Sequence, residues 1–221
     1  MNKILVLVEG QTEEAFVNQV LSPHLASRGV VLNPTIVATS KRHDGTRFKG
    51  GVPAYAKVRS DLVNLLNDTN AKRVTTMLDY YALRTDFPGM TDVNKGSSAD
   101  GRVKHLEQAF AADLNDRRFV PYFSVHEIEA ILFANVDAWS YVFNSDATVL
   151  ERLKAACQGV ATPEHINDGR ETAPSKRIMR AFAGYQKVLH CPQAANAIGL
   201  TRIRNECAHF DQWVGLLEAT A

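Results

Sequence analysis

Three acidic residues follow apolar stretches of the chain, at points where buried strands would end. Glu9 comes directly after residues 4–8, Asp79 comes directly after residues 74–78, and Glu127 lies just beyond a third apolar stretch. Parallel strands end at the same edge of a sheet, so these carboxylates can converge although they are far apart in the sequence. Carboxylates gathered in this way repel each other, and hard divalent cations such as Mg²⁺ relieve that repulsion. The pattern therefore predicts a Mg²⁺ (or Mn²⁺) site.

Two further acids, Glu13 and Glu129, lie a helical turn or less beyond the strand ends. Two metal ions held by such a group would clamp the attacking and leaving oxygens of a phosphodiester, which supports hydrolysis of nucleic acid. A structural explanation is available for each acid. Glu13 or Glu127 could cap the helix that follows it, and Asp79 could begin a turn.

The segments around these acids predict alternating strands and helices. The apolar run before Glu9 is mostly branched, which is typical of a strand buried on both faces. Gly10 permits a sharp turn after it, and Thr12 is a good N-cap for the next helix. The predicted strands are 4–8, 30–39, 74–78 and 119–125, the last at an edge or a bulge because of Pro121. The predicted helices are 12–28, 55–67, 103–115, one from 126, 147–158, 175–183, 185–198 and 201–219.

This order of elements predicts an α/β fold with a mainly parallel, Rossmann-like sheet flanked by helices. Strand patterns fade beyond residue 135. We therefore expect an α/β domain over residues 1–135 and a helical C-terminal extension over residues 136–221 that packs on it. In this fold Glu9, Asp79 and Glu127 lie at the carboxyl edge of the sheet.

Composition restricts the possible functions. The chain has 221 residues, of which 45% are hydrophobic and 22% are charged, so it can form a full core. A net charge of +1 predicts no broad polyanion-binding surface, only a local patch. The sequence contains no apolar run of membrane-spanning length and no signal-peptide pattern, and its three cysteines are widely spaced. We expect a cytoplasmic protein without membrane contact.

Several motifs together resemble a known group of proteins. Residues 8–13, Val-Glu-Gly-Gln-Thr-Glu, look like the opening motif of Toprim domains, the metal-binding module of topoisomerases, primases and overcoming-lysogenization-defect (OLD) nucleases. Asp79 falls where the Toprim Asp-x-Asp motif begins, and Glu127-x-Glu129 resembles the late acidic pair of the OLD branch. With residues 86–89 and 172–177, the chain resembles throughout its length a compact bacterial Toprim-like family of unknown function.

The resemblance implies a Toprim fold, a nuclease activity with Mg²⁺ or Mn²⁺, and DNA or RNA as substrate. Members of that family tend to be encoded beside AAA or ABC-type ATPases, as are nuclease effectors of anti-phage defence systems. It therefore also implies an ATPase partner, and a homo-oligomer is possible. The chain departs from the Toprim pattern at Tyr81, which stands where the second acid of Asp-x-Asp is expected. Glu13, Glu129 or Asp86 would have to supply the missing metal contact, and Tyr81 would contact substrate or orient Asp79.

Basic residues in two segments are candidates for phosphate binding. The loop over residues 41–49 is basic, and Lys or Arg residues supply most phosphate contacts in proteins. Its candidate residues are Lys41, Arg42, Arg47 and Lys49. Lys176 and Arg177 follow a helix start at Pro174; if that segment covers the acidic edge, Lys176 would stabilise charge on a phosphate oxygen. Both groups could equally be solvated surface.

Other chemistries lack their expected motifs. His190-Cys191 and Cys207-x-His209 are spaced too widely for a typical closed zinc site. The sequence has no phosphate-binding Gly-x-x-x-x-Gly-Lys loop, no dinucleotide fingerprint and no Gly-x-Ser-x-Gly elbow. Two hypotheses remain. In the first, the chain is a metal-dependent endonuclease in which Glu9 is the general base or a ligand. In the second, it is a catalytically weak Toprim module that binds or regulates an ATPase.

Overall fold

A computed structural model of the chain describes residues 1–37, 52–94, 96–142, 147–166 and 171–221. Its strands form one parallel sheet in the order β2-β1-β3-β4, with β5 also paired to β3. The strands are β1 (Asn2–Val8), β2 (Val30–Ile36), β3 (Ala71–Asp79), β4 (Phe119–Val120) and β5 (Phe123–Ser124). The predicted α/β class with a parallel sheet is confirmed.

Nine α-helices are present in the described part of the chain. They are α1 (Gln11–Phe16), α2 (Ser22–Ala26), α3 (Tyr55–Leu66), α4 (Ala99–Leu114), α5 (Ala147–Cys157), α6 (Pro174–Ala181), α7 (Lys187–Ile198), α8 (Leu200–Glu206) and α9 (Ala208–Glu218). Shorter 3₁₀ segments cover Tyr80–Ala82 and Pro163–His165. No helix among the described residues is both long enough and apolar enough to cross a bilayer.

The edge strand is interrupted where the sequence places a proline. One strand was expected over residues 119–125, but β4 and β5 are separate two-residue strands on either side of Pro121. Between them the side chain of Thr76 on β3 replaces the ladder. Its hydroxyl donates to the Tyr122 carbonyl and accepts from the Tyr122 amide, both at 2.9 Å. The expected irregularity at Pro121 is confirmed.

The first helix differs from its predicted form at its start and in its middle. Gly10, rather than Thr12, is the N-cap, and its amide donates to the Glu13 carboxylate at 2.9 Å. The helical path then passes through a π-helical turn, Val17–Leu21, before α2. Pro23 lies in the first turn of α2 and cannot donate to the helical turn before it; the Gln19 carbonyl, four residues earlier, accepts instead from the Asn196 side chain at 3.3 Å.

Two C-terminal predictions require correction. The helix expected from residue 126 is a 3₁₀ segment, Ile128–Tyr141, which is broken by extended backbone at Asn135 (φ −155°, ψ 95°). The single helix expected over residues 201–219 is two helices, α8 and α9, which meet at Cys207. The side chains of the 3₁₀ segment are mostly apolar and buried, so tertiary packing, rather than α-helical periodicity, determines its path.

Both faces of the sheet are buried, and alternate residues of β1 point to opposite sides. Ile4 and Val6 contact the larger hydrophobic cluster, which includes α1, α7, α9 and the 3₁₀ segment. Leu5 and Leu7 contact a second cluster with α3 and α4. The larger cluster contains residues from both sides of position 135, so the C-terminal helical layer packs on the same core as the sheet.

Candidate functional site

Glu9 is held at the carboxyl end of the central strand by neighbouring backbone. Its amide donates to the Met77 carbonyl at 3.2 Å, which extends the pairing of β1 with β3 by one residue. Its Oε2 accepts a hydrogen bond from the Asp79 amide at 3.3 Å. The ends of two adjacent parallel strands are therefore joined through an acidic side chain, as expected for residues that meet at one sheet edge.

Asp79 links this edge to the segment that contains the late acidic pair. Its Oδ1 accepts from the Ile128 amide at 3.1 Å, at the start of the 3₁₀ segment. Glu127 precedes that segment, and its Oε2 accepts from the Ser175 amide in the first turn of α6 at 2.9 Å. The prediction that Glu127 could cap the segment directly after it is wrong, because its side chain accepts instead from α6, 48 residues later. Asp79 likewise accepts from the start of the 3₁₀ segment rather than from the turn directly after it. These hydrogen bonds hold Glu9, Asp79 and Glu127 at one end of the sheet.

Glu129 is the most deeply buried acid of the group, with 1% of its side chain exposed. Lys187 Nζ, at the first residue of α7, lies 2.8 Å from Glu129 Oε1. Glu129 Oε2 has no hydrogen-bond donor among the described residues. A buried carboxylate oxygen without a donor is costly, and it is a position at which an added cation would be stabilising.

Burial and neighbouring charges raise the pKa values of Glu13, Asp79 and Glu129. Burial, and then the charges of Glu9 and Glu129, raise the pKa of Glu13 to about 7. Burial, followed by the charges of Glu9 and Glu13, raises the pKa of Asp79 well above its usual range. Burial also raises the pKa of Glu129, although Lys187 opposes that shift. We call these residues the acid cluster: Glu9, Glu13, Asp79, Glu127 and Glu129.

Lys187 is a cation that contacts the acid cluster, and the sequence analysis did not single it out. Burial would lower the pKa of its ammonium, but the charges of Glu129, Glu127 and Asp79 outweigh burial and the net pKa is raised. Lys176, the predicted cation, lies exposed on α6. No motif distinguishes Lys187 in the sequence. It reaches the cluster because α7 packs against both α1 and the 3₁₀ segment.

A family profile described as a domain of unknown function, DUF4276, matches residues 8–218. The chain belongs to the DUF4276 family. The matched region contains the whole acid cluster and Lys187. Comparison with curated proteins and with solved structures gave no match.

Two buried groups beside the acid cluster of this DUF4276 chain were also missed by the sequence prediction. Tyr185 is buried, and its hydroxyl has no hydrogen-bond partner among the described residues. Burial raises the pKa of Tyr185, with the charge of Glu129 as the next cause. Burial, followed by the charges of Glu129 and Glu13, likewise raises the pKa of the Cys191 thiol. Both groups stay neutral, so Tyr185 can donate a hydrogen bond toward the cluster but cannot add charge to it.

The remaining predicted site residues are Tyr81, Arg177 and the four basic residues of the loop over residues 41–49. Tyr81 is 44% exposed, and its amide donates to the His126 carbonyl at 3.4 Å. The orientation of Asp79 comes instead from the backbone bonds described above. Arg177 donates from Nε to the Thr172 carbonyl at 2.6 Å and from Nη1 to the Ala156 carbonyl at 2.5 Å. Lys41, Arg42, Arg47 and Lys49 lie outside the described residues.

The acid cluster fits a hard divalent cation by its donor chemistry. All five side chains offer carboxylate oxygens, the ligands that Mg²⁺ and Mn²⁺ prefer, and one buried oxygen of Glu129 lacks a donor. Within the part of the chain that the structure describes, no three His, Cys, Asp or Glu side chains are close enough to hold an ion as they stand. Side chains that now accept from backbone amides, such as Asp79 and Glu127, would have to rotate toward the ion.

Proposed function

We propose that this DUF4276 protein is a nuclease of Toprim type that depends on Mg²⁺ or Mn²⁺ and cleaves phosphodiester bonds of DNA or RNA. The observation that supports this function is the acid cluster at the carboxyl edge of a parallel sheet. Its members are drawn from four separate segments, and several have raised pKa values. Five mutually repelling acids in one place lower the stability of the fold, and such destabilising groups are typical of functional sites.

The acids have distinct roles in this proposal. Glu13, Asp79, Glu127 and Glu129 hold the metal, while Glu9 is the general base or a further ligand. When bound, the metal would polarise the phosphodiester and lower the pKa of the attacking water. Lys187 offsets negative charge beside Glu129 and is positioned to stabilise charge on a phosphate oxygen. Lys176, exposed on α6, would contact substrate from the side of that helix.

The test compares isosteric variants of the acid cluster with a matched variant outside it. Glu9→Gln and Glu129→Gln each remove one negative charge at nearly constant shape. Glu14→Gln removes the same charge one residue beyond Glu13, at a residue that does not belong to the cluster. Calorimetry with Mn²⁺ and cleavage of labelled DNA and RNA would be measured for all three variants and the parent.

We expect Glu129→Gln to weaken Mn²⁺ binding sharply and Glu9→Gln to lower the cleavage rate by about 100-fold or more. Glu14→Gln should behave like the parent. If Glu9→Gln cleaves as fast as the parent with either metal, the role given to Glu9 is wrong. If Glu129→Gln binds Mn²⁺ as well as the parent, Glu129 is not a ligand.

One observation favours a second function. Tyr81 occupies the place of a second acid, and a phenol is a poorer ligand for hard Mg²⁺ than a carboxylate. The alternative proposal is a catalytically weak Toprim module that binds or regulates an ATPase, of the AAA or ABC type that the family resemblance implies. The same calorimetry separates the two proposals, since an inert module would give no heat of Mn²⁺ binding in the parent protein.

A further inference from the structure

A groove between α5 and α6 is lined by arginines. Its volume is about 320 Å³, and its lining residues are Arg152, Ala156, Thr172, Arg177, Arg180 and Ala181. On α5 the lining residues are four positions apart, and on α6 they are three and four positions apart. Each helix therefore presents one continuous face to the groove. Of the six lining residues that belong to the described part of the chain, three are cationic and none is acidic.

The three arginines differ in how firmly they are held. Arg177 bonds to backbone carbonyls of both walls, which fixes its guanidinium and ties α6 to the end of α5. Arg152 and Arg180 are exposed at the rim. Arg180 has one ion pair, at 3.5 Å, with a strongly exposed Glu171. Such surface ion pairs contribute little to stability, so a phosphate oxygen can replace Glu171 as the partner of Arg180 with little loss of free energy.

The groove shares a helix with the acid cluster. The first turn of α6 bonds to Glu127 through the Ser175 amide, whereas Arg177 and Arg180 on the same helix line the groove. Since α6 has eight residues, the groove lies within about 12 Å of that contact along the helix. This separation is about the length of a few nucleotides along one strand.

We propose that this groove binds backbone phosphates of the nucleic-acid strand whose cleavage the acid cluster performs. The assignment to nucleic acid rests on the proposed function. Carboxylates repel a polyanion, so a strand held at the cluster needs cations close by. Lys187 supplies one such cation, but Glu129 at 2.8 Å offsets part of its charge, so a strand needs further cations. The guanidinium groups of the groove suit phosphate through charge and through paired N–H donors.

The experiment compares two double variants that lose the same charge. Arg152→Ala with Arg180→Ala removes the exposed cations of the groove and leaves Arg177, which ties the two helices together. Lys72→Ala with Arg117→Ala removes two exposed cations at the amino ends of β3 and β4, the opposite edge of the sheet. Binding of fluorescein-labelled single-stranded DNA and RNA would be followed by anisotropy in EDTA over a range of KCl concentrations.

We expect the groove variant to bind about tenfold more weakly at 0.1 M KCl. The slope of log affinity against log salt should fall by about 1.4, because two phosphate contacts on a single strand are lost. Arg152→Lys with Arg180→Lys keeps both charges and should retain the parent's slope. The Lys72 and Arg117 control should match the parent in both quantities. Unchanged thermal unfolding would show that each variant is folded.

Two results would overturn the proposal. In the first, the groove variant binds the strand as tightly as the parent. In the second, the control pair loses as much affinity as the groove variant, which would indicate that net charge alone governs binding. Cleavage with Mn²⁺ is scored separately: groove binding without cleavage contradicts only the proposed function, and cleavage without groove binding contradicts only this inference.

Discussion

At the scale of single residues, Lys187 partly compensates for the burial of the Glu129 carboxylate in the acid cluster. A carboxylate that is 1% exposed needs compensation for the water it has lost, and one ammonium at 2.8 Å supplies part of it. Lys187 keeps 40% of its side chain exposed, so the pair is accessible from one side. The structure thus contains a monovalent counter-ion at a place where the proposed function requires a divalent one.

Replacing Lys187 by Met should therefore destabilise the protein at pH 7. Glu129 would be left buried without a counter-ion, and the expected loss in the free energy of unfolding is about 1–3 kcal/mol, reduced from a fully buried pair because Lys187 is partly exposed. Urea unfolding measures this loss. Adding Glu129→Gln to Lys187→Met should restore much of it, and Lys176→Met should have little effect. Equal stability of Lys187→Met and the parent would show that the pair contributes nothing.

At the scale of elements, the sequence predicts the strand ends well and the helix contacts poorly. Branched apolar runs before Glu9 and Asp79 identify buried strands, and the parallel order places both acids at one edge. Lys187 gives no comparable pattern, because its position depends on how α7 packs on distant segments. The local sequence pattern thus predicts where the acids lie, whereas the tertiary packing of α7 places Lys187 beside them.

The last helix is joined to the sheet by a pair of half-buried ionisable groups, Glu107 and His209. Glu107 on α4 accepts from the Phe123 amide of β5 and from His209 Nε2, both at 3.0 Å. Glu164 accepts from the His209 and Phe210 amides at 3.0 and 2.9 Å, and so caps α9. Burial would lower the pKa of His209, but the hydrogen bond and charge of Glu107 outweigh it, and the net pKa is raised above 6.5.

This pair should make stability depend on pH with a defined sign. Since the pKa of His209 is higher in the folded state, its contribution is fully present below pH 6.5 and is lost as the pH rises through the raised value. The free energy of unfolding of the parent minus that of His209→Gln should thus fall between pH 6 and pH 9, by about 1–2 kcal/mol. Taking the difference cancels the titration of groups that both proteins share. A difference independent of pH would mean that folding does not change the pKa of His209.

At the scale of the whole molecule, one buried cluster connects the sheet to the C-terminal helices. The acid cluster lies at the boundary of these layers, with Glu9 and Asp79 on the sheet and Glu127 bonded to α6. A ligand that draws these side chains together would therefore hold the sheet and the helical layer in place at once. Its binding free energy would appear in the stability of the entire fold.

Mn²⁺ should therefore raise the melting temperature of the parent, and by more at pH 8 than at pH 6. The pKa of Glu13 is raised to about 7, above its ordinary 4.5, so the metal-free folded state binds more protons than the unfolded state between these values. Its stability consequently falls as the pH rises through that window. Below about pH 7 the metal must displace a proton from Glu13, whereas at pH 8 the carboxylate is already ionised.

Differential scanning calorimetry with Mn²⁺, and again after EDTA, measures this effect. Stabilisation should follow RT ln(1 + [Mn²⁺]/Kd), about 2.7 kcal/mol when the ion is at 100 times its Kd, and EDTA should reverse it. Glu9→Gln with Glu129→Gln should melt at the same temperature with or without Mn²⁺, whereas Glu14→Gln should respond like the parent. A shift equal in the parent and the double variant would place the ion elsewhere. A parent that gains no stability at either pH would leave the acid cluster as a structural feature, whose acids are held by backbone amides and by Lys187.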